Sequence, residues 1–127
     1  MHFQTAPFEQ GKLVRVVSGS ALDVAIDIRK NSPTYSKSFS VTLSGKNNLM
    51  LWIPPGFAHG FLSLEDDTAV AYKCTAPYHK DSERGIVWND PALNIDWGVS
   101  KPILSEKDSR LPLLKEYQAG SIETKTM

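Results

Sequence analysis

The stretch Trp52-Ile-Pro-Pro-Gly-Phe-Ala-His59-Gly-Phe61 sets one histidine just past a Pro-Pro-Gly turn, between two apolar runs with strand character. A Pro-x-Gly-x-x-His step of this kind is how small β-barrels carry an imidazole into their mouth. It gives the other polar residues of the chain a place to converge. The spacing alone leaves two readings of His59 open, a cap on the turn or a residue of a site.

The segments around it read as strands. Leu22-Asp-Val-Ala-Ile-Asp-Ile-Arg29 alternates with period two, Leu22, Val24, Ile26 and Ile28 against Asp23, Ala25, Asp27 and Arg29, the pattern of a half-buried strand. Lys12–Val17 precedes it, across the turn Ser18-Gly-Ser20. Phe39–Leu43 and Leu49–Ile53 follow, with Gly45–Asn48 between them as a hairpin-like connection. Phe61–Leu64, Thr68–Thr75 and Gly85–Trp88 complete the set. Short strands separated by Pro, Gly and Asn predict an antiparallel sandwich or barrel. Ser105-Glu-Lys-Asp108 is close to a capping box and predicts a short helix that Pro112 limits. The reading is one domain over 1–118 and a frayed tail over 119–127.

Composition narrows the function. Of the 127 residues 41% are hydrophobic, enough for one core, and 14 Lys+Arg balance 14 Asp+Glu. A neutral chain lacks the basic footprint of a nucleic-acid binder and the polybasic cluster of a membrane-surface protein. No apolar run approaches the ~18 residues of a membrane span. The start of the chain has no pattern of a signal peptide. The one cysteine, Cys74, forms no internal disulfide, and a cytoplasmic setting is the expectation. Cys74 reads as inert packing.

Three histidines are present, His2, His59 and His79. A metal-binding barrel of this type wants a His-x-His pair, a nearby carboxylate and a later histidine. His2 is followed by Phe3 and Gln4, so the pair is missing and the ligand count argues against zinc or iron. His79 lies in the loop Pro77–Asp81 and reads as solvent-exposed. What remains is His2, Lys12, His59, Tyr72, Lys107 and Asp108. Tyr72 shares a strand face with Val70 and Cys74 and points inward if those are core. A histidine, a lysine and a tyrosine in one barrel mouth can move a proton beside a carbonyl. The imidazole takes it, the ammonium steadies the enolate oxygen, and the phenol returns a proton from the opposite side. Taken singly, each has a plainer reading: a core tyrosine, a strand-edge lysine, a helix-start aspartate. On the residues alone the chain is a β-barrel in which a proton-transfer site is one option.

The order of the motifs adds to this. Gln10-Gly-Lys-Leu-Val-Arg15, Asp23–Arg29, Ser32-Pro-Thr34, Leu51–Phe61, Tyr72-Lys73, Trp88-Asn-Asp-Pro91, Ile95-Asp-Trp97 and Leu104-Ser-Glu-Lys-Asp108 follow one another from near the start to about residue 115. The series closely resembles the dTDP-4-dehydrorhamnose 3,5-epimerase family. The resemblance implies an all-β cupin jelly roll with a short C-terminal helical segment, a homodimer, no metal and no cofactor. The implied substrate is dTDP-4-dehydro-6-deoxy-D-glucose. By the family's pattern His2 is the base, oriented by Asp108, Tyr72 is the acid, and Lys12 faces the C4 oxygen. His59 hydrogen-bonds the sugar, Tyr78 stacks on the thymine ring, and Glu83 and Lys107 make further nucleotide-sugar contacts.

The family carries, before its His-Phe-Gln, a segment with an arginine for the diphosphate and strands that pack across the dimer. Here Met1 stands where the family has leucine, and Pro77 where a tyrosine is common. For the sequence as given, the resemblance therefore implies weakened diphosphate binding and unpaired sheet edges. The alternatives are a truncated relative that binds a thymidine-nucleotide sugar with little or no turnover, and a 3,4-ketoisomerase on the same scaffold. The second is disfavoured by the lack of a Gly-Gly-His-x-His stretch.

Overall fold

The computed structural model describes residues 1–117. Eight strands form two antiparallel sheets: β1 (His2–Gln4), β2 (Lys12–Ser18), β3 (Ser20–Asp27), β4 (Ser38–Ser44), β5 (Met50–Ile53), β6 (Phe57–Ser63), β7 (Ala69–Cys74) and β8 (Glu83–Gly85). The larger sheet runs β4-β3-β6-β1-β8 and the smaller β5-β2-β7. A helix, α1 (Glu106–Ser109), forms where the capping signal places it, and the Ser105 hydroxyl accepts the Asp108 N–H at 3.1 Å. The expectation of a frayed tail over 119–127 lies outside the described residues.

Alternation along β3 builds two cores at once. Val24 and Ile26 pack with Phe3, Ala58, Ile86, Leu93, Trp97 and Leu114 on one face of the larger sheet. Ala21 and Ala25 turn the other way, toward Val14, Val16, Leu43 and Ile53 between the sheets. Each fully buried Val, Leu or Ile here contributes about 1.5–3 kcal/mol. The strand is therefore not half-buried. Its aspartate face is as closed as its apolar face, and Asp23 and Asp27 are each 1% exposed. The smaller sheet packs toward the aspartate face, while the chain after β8 returns across the apolar face. Asp90 pins it there, accepting the Ala92 N–H at 3.0 Å and the Leu114 N–H at 2.8 Å, and Trp97 Nε1 donates to Trp88 O at 2.8 Å.

A buried carboxylate must find partners, and Asp27 has five donors. It accepts from the Arg29 N–H, Nε and Nη2 at 3.0, 2.9 and 2.9 Å, from Ser32 Oγ at 2.6 Å and from Thr34 Oγ1 at 2.5 Å. The Arg29 hydrogen bonds, with those of Ser32 and Thr34, hold its carboxyl well below the usual aspartate range against the cost of burial. This network gives the Ser32-Pro-Thr34 motif a structural job. Arg29 also lies over the Phe57 ring at 4.8 Å.

Three boundaries differ from the sequence reading. Gly45–Asn48 does not close a hairpin, since β4 pairs with β3 while β5 pairs with β2. The chain changes sheets there, and Asn47 caps the crossing through Ser44 N, Leu49 N and Thr42 O. β6 begins at Phe57 rather than Phe61, so His59 sits mid-strand, paired with β1 and β3, and does not cap the turn. Gly56 makes the early start possible, with φ of 93° and no room for a Cβ beside Arg29. β8 covers Glu83–Gly85 and leaves the sheet where Gly85–Trp88 reads as a strand, because Ile86 turns into the core. β1 has no strand signature of its own; it is held by β6 and β8 on its two sides.

Candidate active site

Three adjacent strands of the larger sheet bring His59, His2 and Glu83 to the wall of a cleft of about 1660 Å³, and the next strand sets Asp23 behind His59. His2 on β1 stands directly opposite His59 on β6. Asp23 on β3 shares a face with Ala25, which stands opposite His59. Glu83 on β8 stands opposite Gln4, two residues from His2. The resulting row is Asp23, His59, His2, Glu83. In the smaller sheet, Lys12 extends the inward stripe of Val14 and Val16 to the cleft, and Tyr72 stands opposite Val14.

His59 is 6% exposed, and its Nε2 lies 2.6 Å from Asp23 Oδ1. The other oxygen, Asp23 Oδ2, is buried without a hydrogen-bond partner. His2 is half-buried. Its Nε2 lies 2.7 Å from Asp108 Oδ1, on α1. Its Nδ1 is buried and lies 3.2 Å from Glu83 Oε1, within ion-pair range but without the alignment of a hydrogen bond. The short helix is what brings Asp108 there: capping at Ser105 starts it on the rim of the cleft.

Glu83 gathers the far end. Tyr78 Oη donates to its Oε2 at 2.5 Å and Lys107 Nζ to its Oε1 at 3.2 Å. The Tyr78 hydrogen bond, with Lys107 and the nearby His2, holds the Glu83 carboxyl below its ordinary value against burial, and the same bond pushes the Tyr78 phenol up. Burial pushes the Lys12 ammonium below the usual lysine range, and the acids Cys74, Asp23 and Glu83 pull against that shift. Lys12 Nζ lies 5.9 Å from the centroid of the Tyr72 ring.

The structure thus brings His2, Lys12, His59 and Tyr72 to one cleft with Tyr78, Glu83 and Asp108. Lys107 reaches it only through Glu83, and its side chain is largely exposed. Two expectations fail. Cys74 is not packing: it is exposed and lines the cleft, because the stripe of β7 that is apolar at Val70 faces polar side chains at its other end. Tyr72, on the same stripe, faces the cleft and is half exposed for the same reason. His79 is not a free loop residue. It stacks on Phe8 with centroids 3.7 Å apart, and its Nδ1 meets Ser82 Oγ at 2.7 Å. Sequence reading also passed over Asp23 as an outward residue. Its signal was present, since aspartate is depleted from strands and β3 holds two. Among the described residues, no group of three or more His, Cys, Asp or Glu is placed to hold a metal ion. No described helix is long and apolar enough to cross a membrane.

Comparison with known proteins shows the family of the chain. The family model described as dTDP-4-dehydrorhamnose 3,5-epimerase matches residues 1–116. The chain is 52% identical over 117 residues to the dTDP-4-dehydrorhamnose 3,5-epimerase of Sinorhizobium fredii (strain NGR234), covering 91% of this chain and 60% of that protein. Among solved structures it superposes on the RmlC epimerase of Mycobacterium tuberculosis with a TM-score of 0.92 at 38% identity, over 95% of this chain and 62% of that one. It superposes on RmlC of Legionella pneumophila, a dTDP-6-deoxy-D-glucose-3,5-epimerase solved in complex with dTDP-4-keto-L-rhamnose, with a TM-score of 0.88 at 46% identity, over 94% and 63%. The chain spans about 60% of the length of the first two curated relatives it matches. Its all-β fold is the cupin fold of these epimerases. By family match, sequence identity and superposition together, the chain belongs to the dTDP-4-dehydrorhamnose 3,5-epimerase family.

Proposed function

We propose that this chain carries the proton-transfer site of a nucleotide-sugar 3,5-epimerase acting on dTDP-4-dehydro-6-deoxy-D-glucose. The observation that carries the reading is the His2–Asp108 pair at 2.7 Å, in one cleft with Lys12 and Tyr72. A hydrogen at C3 or C5 is acidic because it lies beside the C4 ketone. His2 removes it, while Asp108, 2.7 Å from its Nε2, orients the ring and steadies the imidazolium. The electron pair passes to the C4 oxygen as an enolate, which Lys12 stabilises. Tyr72 returns a proton to the opposite face, inverting the carbon. Repeating the step at the second carbon gives dTDP-4-dehydro-L-rhamnose.

In the same reading His59, held by Asp23, hydrogen-bonds the sugar. Tyr78 stacks on the thymine, and Glu83 and Lys107 serve the nucleotide end. The chemistry uses side chains alone. The reading includes a homodimer, supported by the exposed Leu13, Met50 and Trp52 that share the outer face of the smaller sheet. It also includes a cytoplasmic setting, supported by the free Cys74 thiol.

Incubation with the substrate in D2O tests the reaction. Deuterium entering at C3 and C5 is the expected result; folded protein that exchanges neither position overturns the proposal.

A further inference from the structure

Gln4 is 6% exposed, and its side-chain amide reaches out of its own sheet. Oε1 accepts the His79 N–H at 2.9 Å, and Nε2 donates to Phe8 O at 2.8 Å and to Pro77 O at 3.3 Å. One side chain therefore ties β1 to the loop before β2 and to the loop after β7. The two loops also meet each other through the stacked rings of Phe8 and His79. Pro77 and His79, the two residues Gln4 holds in the second loop, bracket Tyr78. The Tyr78 ring projects 64% exposed at the cleft, its hydroxyl fixed by Glu83. At the other end of the three-residue strand, on the same face as Gln4, stands His2.

We propose that Gln4 is a positioning residue that sets the distance between Tyr78 and His2, so that β1 acts as a gauge between the nucleotide end and the reacting end of a single substrate. The proposal rests on the roles given above to Tyr78 and His2. Its logic is geometric. A base works on a carbon held about 3–3.5 Å away, and a misplacement of about 1 Å costs on the order of 100-fold in rate. A nucleotide sugar gripped at its base transmits any slack in that grip to the sugar ring. The Tyr78 backbone has the Gln4 amide on both sides of it and the Glu83 carboxylate at the ring's tip. Glutamine fits the post because the three bonds need one acceptor and two donors. An ionised glutamate keeps the acceptor but turns a second oxygen toward two carbonyls, and leucine fills the space while leaving all three groups unpaired.

The test uses the whole chain with Gln4→Leu, Tyr78→Ala and the double variant, read by dTDP titration, steady-state kinetics and exchange of the His79 amide proton. Gln4→Leu is expected to speed His79 amide exchange, to lower kcat about 10-fold or more, and to raise Kd for dTDP less than about 3-fold. In the Tyr78→Ala background, where the grip is already slack, the same change is expected to lower kcat less than about 2-fold further, since residues acting through one another are not additive. Gln4→Glu should match Gln4→Leu at pH 8 and recover part of the His79 amide protection near pH 5, where the side chain regains a donor. Three results overturn the proposal: a Gln4→Leu protein with unchanged His79 protection, one with wild-type kcat, or an equal loss of kcat with and without Tyr78, which marks a general loosening of the fold. Wild-type protein that takes up no dTDP and exchanges no deuterium overturns the functional reading itself, and the positioning role with it.

Discussion

His2 and Asp108 are 106 residues apart in sequence, and their side chains meet at 2.7 Å between Nε2 and Oδ1. One sits on a three-residue strand clamped by two neighbours, the other on a one-turn helix set by its serine cap. The pair holds the His2 ring at the cleft from a helix outside the sheet.

His2→Asn removes the base and is expected to abolish deuterium exchange at both carbons, a loss of about 1000-fold or more. Asp108→Asn keeps the shape and loses the charge, and should cost roughly 100- to 10,000-fold in kcat with little change in dTDP affinity. The two measurements together separate chemistry from binding.

Tyr72→Phe separates proton removal from proton return. With the phenol gone, deuterium should still enter the substrate from the His2 face, while formation of the inverted product falls about 100-fold. Equal loss of exchange and inversion argues against Tyr72 as the acid.

Lys12→Met should reduce kcat/KM by about 100-fold or more, the usual cost of deleting a charged donor at a developing oxyanion. Burial lowers the Lys12 pKa. The charged form is the useful one, so activity is expected to fall as pH rises through a value below the usual lysine range. A pH profile of the wild-type protein shows this alkaline limb.

Asp27→Asn bears on stability rather than chemistry. The folded carboxyl is held below its unfolded value by Arg29, Ser32 and Thr34. Its stabilisation is therefore full above the unfolded pKa of about 4 and is lost as pH falls through the lower folded value. The variant should lose roughly 3 kcal/mol near neutral pH, and its denaturation midpoint should vary less with acid than that of the wild type. Urea titrations between pH 3 and 7 provide the comparison.

Much of the frame is legible in the chain. Period-two alternation and turn chemistry place most of the strands, and the Ser105 cap places α1. Alternation does not say what covers a strand's second face. β3 reads as half-buried because Asp23 and Asp27 look outward in one dimension; both lie on the face that packs toward the second sheet, while the chain after β8 covers the other face. β1 and β8 escape the reading because three residues paired on a neighbour's edge need no propensity of their own.

The candidate site divides along the same line. Residue types and motif order alone say which side chains are available for proton transfer, and they tie His2, Lys12, Tyr72 and Asp108 to a family. Which of them touch is a matter of folding. Strand register sets His2 opposite His59 and joins His59 to Asp23, while a distant helix delivers Asp108. Folding also sets His59 in the middle of β6, three residues past the Pro54-Pro-Gly56 turn and buried beside Ala58. Register and covering are long-range pairings whose partners lie up to a hundred residues away, and no local periodicity encodes them.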